Sequence, residues 1–467
     1  MYSAYLSSRH DVCKELVDRL SKRYPFASLL GKHVTGTSVR VTSRDTGVSD
    51  TMEKQCGFVV KLYNGKTYAE YSFSDITEET LDEIEKNIIE KTTFPDALLE
   101  DHVPLAPMAD EPMAKHFERP VEGRVFGVEE IIEKLKALKD KIHAYDERIV
   151  QAAAIYTMYE TSAMFLTANR DLTQNYTWMG CVLFALAREG EAMKQNMEFC
   201  GGNSYEAVFE GIEGKVEPLC KTAIELLKAE IIVPGVYDII TSPSITGLIA
   251  HEAFGHGVEM DMFVKNRAKS MHYLNKPVAS PLVEMHDGAA ATYSCASYFF
   301  DDDGVLAHDT LIIKEGILQT GISDAVSALQ LGTEPTGNGR RESFKRKAYT
   351  RMTNTFFCPG ESTLEEMIAS VKHGYMLFDT DNGMEDPKNW NIQCVCAYGR
   401  EIKDGKFTGK IVSPVVMSGY VPDLLQSITM VSKDFTVIGS GHCGKGYKEW
   451  VTVSDGGPCL KARCKLG

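Results

Sequence analysis

His251, Glu252 and His256 put two imidazoles and a carboxylate within six consecutive residues of a 467-residue chain. Imidazole nitrogens are good ligands for zinc, and a carboxylate beside the first of them is placed to take a proton from a water held by such an ion. The stretch His251-Glu252-Ala253-Phe254-Gly255-His256 therefore reads as half of a metal-hydrolase site. Its spacing carries a geometric cost. On a regular α-helix, residues four apart lie about 40° apart around the axis, whereas residues five apart lie about 140° apart. Both rings reach one ion only if the helix takes a π-type turn, which makes i and i+5 neighbours, or breaks locally at Gly255. The plain alternative is an ordinary helix on which two histidines and a glutamate happen to fall together.

A tetrahedral site needs a third protein ligand, and the run Ile438-Gly439-Ser440-Gly441-His442-Cys443-Gly444-Lys445-Gly446 offers two candidates. Glycines around Cys443 let the backbone approach closely, and Lys445 nearby would favour the thiolate that binds metal. His442 is a rival next door, and Cys443 could equally be one of many small buried thiols. A His, His, Cys set leaves the fourth position open, the arrangement of a catalytic zinc site. Thiolate plus imidazole favours zinc over iron or manganese.

Several separated segments together resemble the TldD/PmbA family of metalloproteases, and its TldD branch in particular. Val233-Pro234-Gly235-Val236-Tyr237-Asp238, leading through Gly247-Leu248-Ile249-Ala250 into His251-Glu252-Ala253-Phe254-Gly255-His256-Gly257-Val258-Glu259-Met260-Asp261, is similar to that family's strand and metal-binding helix. Thr336-Gly337-Asn338-Gly339-Arg340-Arg341-Glu342-Ser343-Phe344, Arg351-Met352-Thr353-Asn354-Thr355 and Cys443-Gly444-Lys445 are also close to it. The match is dense from about Val233 to Lys445 and thin before, where Phe165-Leu166-Thr167-Ala168-Asn169-Arg170 suggests kinship. The resemblance implies that His251, His256 and Cys443 hold one zinc ion and that Glu252 is the general base. It further implies peptide-bond hydrolysis in unfolded or extended polypeptides, and either a homodimer or a PmbA-like partner subunit lacking the metal motif. Two other readings stand beside it: a non-catalytic PmbA-like scaffold or regulatory subunit, and a metal-dependent amidohydrolase acting on small molecules. A base retained beside two ligands argues against the scaffold.

Composition bounds the remaining choices. The chain has 50 Lys and Arg against 65 Asp and Glu, a net charge of −15, and no basic cluster able to neutralise a run of phosphates. Direct nucleic-acid binding is not expected. Related proteins carry an old label as modulators of DNA gyrase, and this balance favours an indirect connection through proteolysis. The N-terminal residues offer no apolar secretion core, no apolar run approaches a membrane span, and the 12 cysteines are scattered, which together suggest a reducing cytoplasm.

The expected fold is α+β, with an N-terminal mixed α/β domain over residues 1–232 and a C-terminal, mainly antiparallel β domain over 233–467 carrying the metal-binding helix. Apolar spacing predicts helices over Val12 to Tyr24, Glu79 to Lys91, Val128 to Ala144 and Glu206 to Ile231. Strands are predicted over Ser38 to Thr42 and Gly57 to Tyr63, with Asn64-Gly65 turning into Thr67 to Phe73. Phe94 to Pro120 reads as a linker or surface excursion. Glu315-Gly316 and Asp404-Gly405 mark further hairpins, and Cys394 and Cys396 alternate in a strand, facing one side of a sheet. Arg340, Arg341 and Arg351 could bind a peptide's carbonyls or carboxylate, but such a stretch is more often a solvated face or an ion-pair network. Asp301-Asp302-Asp303-Gly304 lacks the remaining ligands of a calcium loop and reads as a turn. Glu259 and Asp261 could orient a ligand imidazole.

Overall fold

A computed structural model describes residues 2–95, 105–446 and 448–467. Its strands fall into sheets that separate along the chain. An eight-stranded sheet holds the strands from Phe26–Thr42 to Ala192–Gly202, whereas every strand of the remaining sheets begins at Gly235 or later. The fold is α+β, as expected.

In the first sheet the long strands Phe26–Thr42, Ile149–Leu166 and Arg170–Glu189 pair antiparallel in the middle. Side chains alternate across the pleat, so residues of one parity share a face. Leu29, Val39 and Val41 of the first strand lie on the face covered by helices. His10–Ser21 packs Leu16, Val17 and Leu20 there, and Val128–His143 packs Ile131, Leu135, Leu138 and Ile142. Leu30, of the other parity, joins Phe165 and Phe300 in a cluster shared with the C-terminal half. Polar ties cross the same junction: Lys32 Nζ lies 2.8 Å from Asp302, Arg341 2.7 Å from Glu70, and Lys61 bonds Asp303.

Two departures from the sequence reading have clear causes. Met113–Arg119, inside the stretch read as a linker, is a strand running parallel to Arg170–Glu189 at the edge of the sheet. Its charged, exposed residues hide the alternation that a buried strand would show. Residues 96–104 of the same stretch lie outside the described ones. The helix expected over Glu206 to Ile231 divides into Tyr205–Glu213 and Val216–Glu225 plus one 3₁₀ turn, with Gly214 at the break. Glycine's backbone entropy makes it a poor helix-interior residue.

The C-terminal half contains a six-stranded and a seven-stranded sheet. Most pairings are antiparallel; Asn354–Phe357 with Lys448–Gly457 and His373–Asp386 with Gly235–Thr241 are parallel. Glu315-Gly316 and Asp404-Gly405 have positive φ at both residues, as tight hairpins require. Cys394 and Cys396 are both fully buried in the strand Asn391–Lys403. Both sheets surround the segment that carries His251. Ile245, Leu248, Ile249, Ala253 and Phe254 share one core with Met285, Phe357 and Val453 of one sheet and with Leu377, Ile392 and Met417 of the other. Among the described residues, no helix is long and apolar enough to cross a membrane.

Candidate metal centre

Ser242 caps the segment by accepting the Ile245 N–H, and Pro243, which needs no N–H partner in the first turn, starts the helix Pro243–Leu248. Ile249–Gly255 then winds as a π-helix, followed by a 3₁₀ turn over His256–Val258. The wider turn brings the five-spaced histidines onto one side, with ring centroids 5.2 Å apart and planes 85° apart. Two glycines give the segment its close neighbours. A Cβ on Gly247 would lie 2.6 Å from Gly456 N, and one on Gly255 only 2.1 Å from Met352 Sδ. Gly255 has ordinary helical φ and ψ, so it serves packing rather than a break in the helix.

The third group comes from the hairpin Thr436–Lys445 and Lys448–Gly457. Cys443 is buried, its Sγ 3.2 Å from His256 Nε2, and the ligand atoms of His251, His256 and Cys443 all lie within 4.8 Å of one another. His442 points elsewhere, to Glu53 Oε1 at 2.8 Å. The Glu252 carboxylate faces both rings, with Oε1 4.0 Å from His251 Nε2 and Oε2 3.8 Å from His256 Nε2. Gly383 makes room for it, since a Cβ there would lie 2.5 Å from Glu252 Cγ.

The electrostatics favour an anionic sulfur. Burial alone would raise the Cys443 thiol, but the His251 and His256 imidazoles overcome it and bring the pKa down to about 4. Burial works against charge on both rings as well, yet Cys443 raises both, His256 well above its ordinary value. A buried sulfur whose ionised form two imidazoles favour marks a place where positive charge is wanted. Ligand atoms around one tetrahedral zinc lie about 3.4–3.6 Å apart, so this soft N, N, S set fits such an ion with small adjustments. His251 Nδ1 is buried and has no hydrogen-bond partner.

Around these groups lies a buried ionic network. Glu259 Oε2 is 3.3 Å from His256 Nδ1 and 3.1 Å from Lys445 Nζ, and its Oε1 is 3.3 Å from Arg351 Nε. Burial would raise the Glu259 carboxyl, but Lys445, His256 and Arg351 hold it far below the usual range. Asp261 bonds Lys445 at 2.6 Å and Lys265 at 3.1 Å and makes no histidine contact. Glu259 alone therefore fills the orienting position considered for both.

The cation beside Cys443 is also not the one its sequence neighbours suggested. Lys445 is engaged with Glu259 and Asp261, while the fully buried Arg351 donates from Nη2 to Cys443 Sγ at 2.9 Å. Arg351 and Arg341 are thus not on a solvated face, and the ion-pair part of that reading is what the fold realises. Arg340 is spent on Met352 O at 2.7 Å and Thr452 Oγ1 at 3.2 Å. The Asp301 to Gly304 turn uses Asp301 Oδ1 to accept two backbone N–H groups at 2.9 Å.

Two acids escaped the sequence reading. Both Glu385 carboxyl oxygens are buried without a hydrogen-bond partner, and burial raises that group well above the usual carboxylate range. Burial also pushes Asp455 up to about 6, opposed by His251 and reinforced by Glu252 and Cys443. Neither lies near the histidine motif in sequence.

Residues 234–461 match the family model described as the PmbA/TldA metallopeptidase C-terminal domain. A metalloprotease of Methanothermobacter thermautotrophicus is 30% identical over 335 residues, 71% of this chain and 73% of the relative. A zinc metalloprotease TldD homolog of Saccharolobus solfataricus is 29% identical over 303 residues, 64% of this chain and 67% of the relative. Among solved structures, TldE of Thermococcus kodakarensis superposes with a TM-score of 0.75 at 17% identity, covering 98% of this chain and 100% of that one. At that identity the likeness speaks for the fold. By the sequence relatives and the matched C-terminal region, the chain belongs to the TldD/PmbA family of metallopeptidases.

Proposed function

We propose that the chain is a zinc-dependent peptidase of the TldD branch, with His251, His256 and Cys443 as ligands of one ion and Glu252 as general base. The observation that carries this reading is the π-wound turn that brings a ring nitrogen of each histidine within 4.8 Å of Cys443 Sγ, His256 Nε2 at 3.2 Å, while leaving the Glu252 carboxylate beside them. Held by His251, His256 and Cys443, a zinc ion would supply Lewis-acid polarisation of a scissile carbonyl and acidify a water. Glu252 accepts the proton of the attacking water and passes it to the leaving amine. Glu259 holds the His256 ring through Nδ1, and Arg351 donates a hydrogen bond to Cys443 Sγ. The relatives named metalloproteases support peptide hydrolysis as the reaction class.

An extended polypeptide is the substrate this architecture suits. The strand Thr436–Lys445, which carries Cys443, is the outer strand of its sheet, so an added strand can pair with backbone groups alongside the candidate centre. Such pairing gives affinity with little side-chain selectivity. A homodimer or a PmbA-like second subunit is the proposed assembly, and the cytoplasm the proposed compartment.

The deciding variant is Glu252→Ala. It is expected to keep zinc at the wild-type stoichiometry and to lose cleavage of an unstructured protein by at least about 100-fold, the scale of general acid–base catalysis. Equal loss of metal and cleavage would show that Glu252 is not the base. Undiminished cleavage would remove it from the mechanism.

A further inference from the structure

A second convergence of metal-binding side chains lies in the sheet that carries Cys443 but shares no residue with the first. Among the described residues, the ligand atoms of Glu284, His286 and Cys358 also lie within 4.8 Å of one another. We propose that these three side chains form a second site for a zinc-class divalent cation, with Asp309 positioning the His286 ring.

Strand geometry builds the cluster. Glu284 immediately precedes the strand Met285–Asp287, and His286 is two residues further on, so both project to the same face. The register pairs Met285 with Phe357 and His286 with Phe356. One step further, Cys358 N donates to Glu284 O at 2.8 Å, which places Cys358 opposite Glu284 on that face. The imidazole lies parallel to the Phe356 ring, centroids 5.8 Å apart and planes within 5°.

Hydrogen bonding fixes the orientation of the His286 ring. His286 Nδ1 is 2.6 Å from Asp309 Oδ1, so the proton on that nitrogen belongs to the Asp309 contact. Nε2 is turned toward Glu284 Oε1 at 3.5 Å, and a ring nitrogen lies within 4.8 Å of the Cys358 sulfur. With Nδ1–H committed, Nε2 and the Glu284 carboxylate face the Cys358 thiol, which burial, reinforced by Glu284, pushes up to about 12, so a shared cation would take the place of the thiol proton. A carboxylate behind a ligating imidazole is the usual support for such a ring. The mixture of nitrogen, oxygen and sulfur suits zinc and its neighbours rather than magnesium or calcium. Binding exchanges the Cys358 thiol proton for the cation, and the proton leaves to solvent.

The environment differs from that of the first centre. The Glu284 and Asp309 side chains are 44% and 50% exposed, which gives an ion an entry path and room for solvent ligands. A bound cation would staple the Met285–Asp287 strand to Asn354–Phe357. That second strand runs parallel to Lys448–Gly457, the partner of the strand carrying Cys443. The site is therefore assigned a stabilising role.

The test uses the full chain, stripped with a chelator, reloaded with Zn²⁺ alone and desalted before elemental analysis. Parallel titration with Co²⁺ reads thiolate-to-metal absorption. The wild type is expected to retain two equivalents, Cys358→Ser and His286→Ala one each, and Cys443→Ser one. Zn²⁺ is also expected to raise the Tm of Cys443→Ser, and not that of Cys443→Ser combined with Cys358→Ser. A single wild-type equivalent that survives Cys358→Ser and His286→Ala but disappears in Cys443→Ser would overturn this site while leaving the first intact. A single equivalent that survives Cys443→Ser and is lost in Cys358→Ser would support this site and sink the first. No retained metal in any form would overturn it.

Discussion

The two triads, His251/His256/Cys443 and Glu284/His286/Cys358, use nearly the same donors and are held in opposite ways. The first is assembled from a π-wound turn and a hairpin strand, buried between two sheets, with Glu259, Arg351 and Lys445 packed behind it. The second is a neighbouring pair of strands with half-exposed carboxylates and one supporting acid. Among the described residues, only the first has a carboxylate, Glu252, that faces both of its imidazoles without being one of its three members. Similar ligands thus serve different ends when burial and neighbours differ. An uncommitted base suits chemistry, and an open cluster on adjacent strands suits stapling.

The largest effect expected on this contrast comes from Cys443→Ser. A neutral hydroxyl is a far poorer zinc ligand than a thiolate, so affinity at the first centre should fall by more than about 100-fold, exceeding the 10–100-fold typical of a supporting residue. Competition with a chelator measures it. Undiminished affinity at that centre would return His442 or another residue to the ligand set.

Next is Glu259→Gln, which leaves the buried Arg351 and Lys445 without their shared carboxylate. Breaking such a network costs about 3–5 kcal/mol, and loss of the Nδ1 acceptor should weaken zinc binding by about 10–100-fold. Denaturant unfolding and metal titration read the two effects separately. The matching change at the second triad, Asp309→Asn, should cost less than about 0.5 kcal/mol of apo stability, as an exposed substitution does. A large apo effect there would erase the distinction between the buried and the open cluster.

Gly255→Ala tests the packing that holds the π turn. Its Cβ meets Met352 Sδ at 2.1 Å, so overpacking should cost about 1–3 kcal/mol. Met352→Ala, although destabilising alone, should recover part of that loss in the double variant. Equal losses with and without Met352 would mean that this contact does not set the spacing.

The last effect, confined to acid pH, concerns the junction of the first sheet with the C-terminal half. Burial opposes ionisation of Glu70, but Arg341 and Lys61 hold its pKa down to about 2. A carboxyl depressed on folding contributes stability that is present above its unfolded pKa, about 4.3, and is lost as pH falls from there toward 2. Wild-type stability should therefore drop across that window by up to about 3 kcal/mol more than that of Glu70→Gln. The same acid sensitivity in both proteins would remove Glu70 from the account.

Much of the site was legible because its chemistry is local. A five-residue histidine spacing admits few geometries, and the π turn is one of the two it allowed. Cys443 was preferred to His442 from thiolate chemistry and its glycine-rich surroundings, and those alternatives separate only in the fold, where Glu53 engages His442. Arg351 was not legible as the partner of Cys443, because 92 residues separate them and Lys445 is far closer in sequence. Glu385 gave no sign, since nothing in a sequence distinguishes a buried unpartnered carboxyl from a surface one. The Met113–Arg119 strand was missed for a related reason: an edge strand rich in charge looks like a loop. The second triad was invisible because its members meet only when strand register sets Cys358 opposite Glu284.

The most direct test of the central claim, that the π turn brings both histidines and Cys443 onto one ion, is zinc-edge X-ray absorption on Cys358→Ser loaded with one equivalent of Zn²⁺. That variant removes the other thiolate from the candidate ligands. The expected spectrum has one sulfur at about 2.3 Å and two imidazole nitrogens at about 2.0–2.1 Å. A spectrum with no sulfur, or with a single imidazole, would contradict it.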